Sequence, residues 1–137
     1  MNFNKYRPQL LLLLITFLSS ALIWLAFYKN IPQKIGFPQT SLETVYANYD
    51  GPNYMIIAKC GYHKDCIAQN FSLPLPLEYY PAHLPGFPLL IKYFNFYVNT
   101  PKAMLLATLF GSLLFTLTSY FFYKLFFKEK PLFGWRF

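Results

Sequence analysis

The sequence predicts an all-α membrane protein in which two transmembrane helices flank an extracytoplasmic loop carrying short juxtamembrane helices. Three observations predict it. Of 137 residues, 55% are hydrophobic and only 12% charged, about half the charged share of an ordinary soluble domain. Two long apolar runs stand near the two ends of the chain. The cations gather outside those runs, as they do around membrane spans. A soluble domain this small has too little interior to cover so much apolar surface.

The formal charge of +7 raises nucleic acid as a partner, and its distribution excludes it. Lys5 and Arg7 precede the first run; Lys124, Lys128, Lys130 and Arg136 follow the second. Between Asn30 and Pro101, Lys34, Lys59, Lys64 and Lys92 are balanced by Glu43, Asp50, Asp65 and Glu78. No basic stripe is left for phosphates to track. The positive-inside rule places both termini in the cytoplasm and the loop on the far side of an inner or plasma membrane.

Residues 1–9 form a cytoplasmic N-terminus and residues 10–28 the first span. Leu10 to Phe27 carries no charge and as a helix reaches about 27 Å. Lys5 and Arg7 with Ser19-Ser20-Ala21 also resemble a signal peptide, but the apolar run continues to Phe27, which favours an uncleaved anchor. In the loop, residues 29–101, one helix is expected over Leu42 to Cys60, broken near Asp50-Gly51-Pro52. A second is expected from Pro88 to Val98, apolar nearly all round and too short to span, lying at the membrane surface or under other helices. Between Leu73 and Pro88, five prolines predict an extended, semi-rigid segment. Tyr79-Tyr80 suits an interfacial belt.

The second span is expected over residues 102–123, with Pro101 in a first turn whose N–H would be unpaired anyway. Ala107 and Gly111 make a small-xxx-small pair that lets another helix approach, although ordinary helix composition gives the same pattern. Residues 124–137 form a cytoplasmic tail.

The most informative segment is Tyr49-Asp50-Gly51-Pro52-Asn53-Tyr54. Asp50 reads in two compatible ways. As an N-cap it accepts a hydrogen bond from a first-turn N–H; as a site residue it is a carboxylate held at the membrane surface as a general base.

Tyr49-Asp50-Gly51, Tyr54, Ile57-Ala58 and Gly61-Tyr62, followed by His83-Leu84-Pro85-Gly86-Phe87-Pro88-Leu89-Leu90, resemble the first luminal loop of polytopic GT-C-type glycosyltransferases. The likeness is to the PIG-V-like mannosyltransferases and covers about residues 45 to 95. The resemblance implies transfer of a mannose-like hexose from a polyprenyl-phosphate donor to an acceptor, with inversion. Asp50 would be the catalytic base, with His83, Lys92, Glu78 and Tyr54 on the substrate. His83 and Lys92 would face the departing phosphate. His83 reads more readily as a hydrogen-bonded loop histidine, and Glu78 equally as a solvated carboxylate. A divalent metal is left open.

Members of that family usually carry about eight or more spans, and two are present here. The chain is therefore expected to be the N-terminal piece of a larger enzyme, inactive alone, with further transmembrane helices as partners. Membrane lipid and the lipid-linked sugar are the remaining expected partners. Cys60 and Cys66 bracket a short loop in which a disulfide is feasible outside the cytoplasm. Cys60, His63, Cys66 and His83 match no common zinc spacing, and the pair is not the redox Cys-x-x-Cys. The rival reading is a small two-span protein, not an enzyme, whose loop binds a partner or scaffolds a complex. A third is a secreted protein with its second run buried in a soluble core.

Overall fold

The computed structural model of the chain describes residues 6–37, 41–47, 50–72 and 76–127. Tyr49, Leu73 to Leu75, the first five residues and the tail from Lys128 lie outside them, including the terminal cations Lys5, Lys128, Lys130 and Arg136.

Helix α1 spans Arg7–Tyr28. Pro8 stands in its first turn, where its missing N–H costs nothing. The helix ends at Lys29, whose N–H closes on the Leu25 carbonyl, and Asn30 then turns the chain with a φ of 52°. Asparagine is among the few residues that tolerate this left-handed conformation. Short helices α2 (Ile31–Lys34) and α3 (Leu42–Tyr46) follow, α3 opened by a capping box between Ser41 and Thr44.

Helix α4 (Gly51–Cys60) begins where the break at Asp50-Gly51-Pro52 is expected, and ends at Gly61 with φ +61° and ψ −143°. That backbone conformation is nearly confined to glycine. Helix α5 (Lys64–Asn70) is absent from the sequence-based expectation. Its only buried residue is Ile67, too few apolar positions for a periodic signal. A disulfide between Cys60 and Cys66 ties α4 to α5. Ile56, Cys60, Ile67 and Tyr80 close into a small core beneath that corner.

The proline-rich segment is more regular than expected. Tyr80–Ala82 forms a 3-10 turn, and helix α6 runs Gly86–Phe94, not Pro88 to Val98. Pro88 falls inside the first helical turn, where no intrahelical donor is required, so the helix starts before it. Beyond Phe94, bonds three residues back, from Phe96 N–H to the Tyr93 carbonyl and from Tyr97 N–H to the Phe94 carbonyl, tighten the last turn and end the helix. Helix α7 spans Thr100–Phe126, with the Asn99 side chain accepting from the Lys102 N–H.

Among the described residues no strand is present, and α1 and α7 are the two helices long and apolar enough to cross a membrane. No residue of α1 is buried, and α7 buries only Ala103, Met104 and Ala107. No soluble core encloses α7 among the described residues, so the secreted alternative lacks the interior it needs. The two helices touch through Thr16 and Thr116, whose hydroxyls lie 3.0 Å apart. The small pair on α7 serves α6 instead. Ala107 is fully buried in one cluster with Ala58 of α4 and Ile91 of α6. Gly111 lines an open groove of about 530 Å3 with Phe87 and Leu90.

Candidate functional site

Helix α4 positions the site through its first turn. The carbonyl of Asp50 accepts the Tyr54 N–H at 3.1 Å, which opens the helix. The Asp50 side chain makes no capping bond to a first-turn N–H. The capping expectation therefore fails for the side chain and holds only for the backbone. Pro52 supplies no N–H, and the carboxylate is turned toward side chains instead. Asn53 Nδ2 reaches Asp50 Oδ1 at 3.4 Å, and His83 Nε2 stands 3.7 Å from the same oxygen.

Gly51 explains why the carboxylate can sit there. A Cβ on Gly51 would come 2.5 Å from the Tyr46 carbonyl oxygen and 3.4 Å from Met104 Cε. The α3–α4 corner thus folds tightly over the start of α7, and Asp50 stands at the loop-side end of that helix.

His83 follows the 3-10 turn. Its Nδ1 lies 2.9 Å from the Tyr80 carbonyl. A carbonyl only accepts, so Nδ1 carries the hydrogen and Nε2 is the atom presented to Asp50. A second proton on Nε2 would make the ring a cation facing the carboxylate. Tyr62 Oη donates to the His83 carbonyl at 2.8 Å, holding this loop from the α4–α5 corner. Tyr54 and Tyr79 set their rings edgewise to the imidazole at 5.1 and 5.9 Å, and Tyr54 meets Phe87 in the same manner at 5.1 Å. The His83 side chain is 12% exposed and that of Asp50 52%. The result is a carboxylate open to a ligand, backed by a nearly buried imidazole and an aromatic wall.

Three of the sequence-predicted residues, Asp50, Tyr54 and His83, come together. Glu78 and Lys92 do not join them. Glu78 pairs with Lys64 at 2.9 Å on the surface, and that hydrogen bond from the ammonium is the main reason its carboxyl is held below the usual carboxylate range. Lys92 is exposed on α6, and no described contact ties it to Asp50 or His83. Tyr46 lies beside the corner, where burial foremost and Glu43 next raise its phenol. Both cysteines are engaged in the disulfide. No group of three His, Cys, Asp or Glu able to hold a metal occurs among the described residues.

Sequence reasoning missed Asn53 and the grip of Tyr62 on the His83 backbone, and read Tyr79 only as part of an interfacial belt. The Tyr62 contact joins residues 21 apart, so no local periodicity reports it. Asn53 had a signal, because a residue three beyond an N-cap faces back toward it.

No protein-family model, curated protein or solved structure matches this chain.

Proposed function

We propose that this chain is an integral membrane protein whose loop holds a general-base site for glycosyl transfer, with Asp50 as the base. In this reading both termini are cytoplasmic, the loop is extracytoplasmic, and the chain is the N-terminal part of a transferase of the GT-C, PIG-V-like kind. The donor is a mannose-like sugar on a polyprenyl phosphate. One observation supports it above the rest: the Asp50 carboxylate is not used to cap its helix and faces His83 at the loop-side end of α7. A purely structural N-cap would bond the helix it caps.

The chemistry follows from those two side chains. Asp50 takes the proton of the acceptor hydroxyl as that oxygen attacks the anomeric carbon. The bond from that carbon to the phosphate oxygen breaks, and the polyprenyl phosphate leaves with the electron pair. Attack opposite the leaving group inverts the centre, and no enzyme nucleophile is involved. His83, whose Nε2 stands 3.7 Å from Asp50 Oδ1, orients that carboxylate toward the acceptor hydroxyl. The aromatic wall of Tyr54, Tyr79 and Phe87 gives the sugar faces an apolar surface.

The test is Asp50→Asn in the full-length gene product, assayed in membranes with polyprenyl-phosphate mannose. Turnover should fall about 10²- to 10⁴-fold, the usual worth of a positioned base, with KM little changed. Turnover equal to the unsubstituted protein would remove Asp50 from this role and leave the partner-binding loop as the better reading.

A further inference from the structure

The contact between Thr16 and Thr116 works as an axial ruler. Helix α3, which follows α1 in the chain, contacts α1 and packs through Tyr46 on the cluster of Ala103 and Met104 at the start of α7, so we read α1 and α7 as antiparallel. Twelve residues onward in α1 and twelve back in α7, Tyr28 comes level with Met104, about 18 Å from the shared hydroxyl contact. The apolar zone common to both helices therefore ends near Ala103 to Leu105 on the loop side. Helix α6 packs at that level, because Ile91 shares a cluster with Ala103, Met104 and Ala107.

The other face of α6 and the turn residues just beyond it are uncovered and greasy. Leu89 is 62% exposed, Tyr93 56%, Phe96 80% and Tyr97 73%. Such a face is costly in water and suits the boundary between acyl chains and headgroups. Three ammonium groups stand at the same level: Lys29 just beyond α1, Lys102 in the first turn of α7, and Lys92 next to Ile91. Among the described residues none of the three has a carboxylate partner.

We propose that α6 and the turn that follows it, through Tyr97, form a lipid-docking segment. It sets Leu89, Tyr93, Phe96 and Tyr97 into the loop-side leaflet and offers Lys29, Lys92 and Lys102 to anionic phospholipid headgroups. The proposal rests on α1 and α7 as membrane spans and is independent of the sugar chemistry.

It is tested by tryptophan quenching in bilayers containing the whole chain, in a Trp24→Phe, Trp135→Phe background. Phe96→Trp is the reporter and Leu114→Trp, midway along α7, the control. Brominated lipid should quench both and aqueous iodide neither. Brominated phosphatidylglycerol should quench Phe96→Trp with about a threefold advantage over brominated phosphatidylcholine at equal mole fraction, a size three lysines near a charged surface support. Adding Lys29→Gln, Lys92→Gln and Lys102→Gln should abolish that advantage. Quenching of Leu114→Trp by lipid but of Phe96→Trp by iodide alone overturns the docking segment while the spans stand. Equal quenching by the two lipids overturns the anionic preference. A control that lipid cannot quench overturns the spans, and the proposal with them.

Discussion

At the residue scale, two glycines hold the site's framework for different reasons. Gly51→Ala would set a Cβ against the Tyr46 carbonyl oxygen at 2.5 Å, and backbone cannot step aside as a flexible side chain can. The α3–α4 corner should open, at about 1–3 kcal/mol, read as a lower melting temperature in detergent. Gly61→Ala meets no crowding, its nearest contact being His63 Cδ2 at 3.6 Å. Its cost is conformational, because φ is +61°, and should also be about 1–3 kcal/mol. Ionisation offers a subtler check. Glu78 is held below its ordinary range by Lys64, so the pair supports the fold above the unfolded carboxylate pKa. That support disappears as pH falls through the depressed folded value. Because both side chains are more than half exposed, Glu78→Gln should leave thermal stability nearly unchanged at neutral pH. A marked loss would show the pair to be more than a surface contact.

At the element scale, the disulfide and the α1–α7 contact are separable supports. Closing so short a loop restricts the unfolded chain by about 2 kcal/mol in the loop-entropy treatment. Cys60→Ser with Cys66→Ser should cost about that much and loosen the corner from which Tyr62 grips the His83 carbonyl. Hydrogen exchange should then rise first at residues 61–70. Thr116→Val removes one partner of the interhelical hydroxyl contact and should weaken α1–α7 association by about 0.6 kcal/mol, measured as steric trapping or thermal stability in bilayers. The elements also show what a sequence can disclose. Helices α1 and α7 are legible because eighteen or more apolar residues have few other uses. The break before α4 is legible because Pro and Gly punctuate helices for local reasons. Helix α5 has no apolar period to detect. Helix α6 starts ahead of its expected position because a proline in a first turn has the same sequence signature as a proline that ends an extended segment.

At the scale of the whole molecule, the candidate site was partly legible. Asp50 and His83 stand out from their surroundings in sequence, but their approach depends on the turn before α6 packing on α4, which itself lies on α7. Pairing choices explain the misses: Glu78 went to Lys64, and Lys92 lies on the open face of its helix. Orientation is the property with most at stake. Impermeant maleimide should label a single cysteine placed at exposed Leu84 in intact cells and miss one placed beside Arg7, in a chain whose native pair is intact. The opposite pattern would reverse the topology and leave Asp50 on the wrong side for the proposed donor. The Cys60–Cys66 bridge adds a directional consequence. Thiols join durably in oxidising surroundings and not in the reducing cytosol. If the loop is extracytoplasmic as proposed, the closed Cys60–Cys66 bridge would be a chemical marker of its side, lost in protein kept in the cytosol.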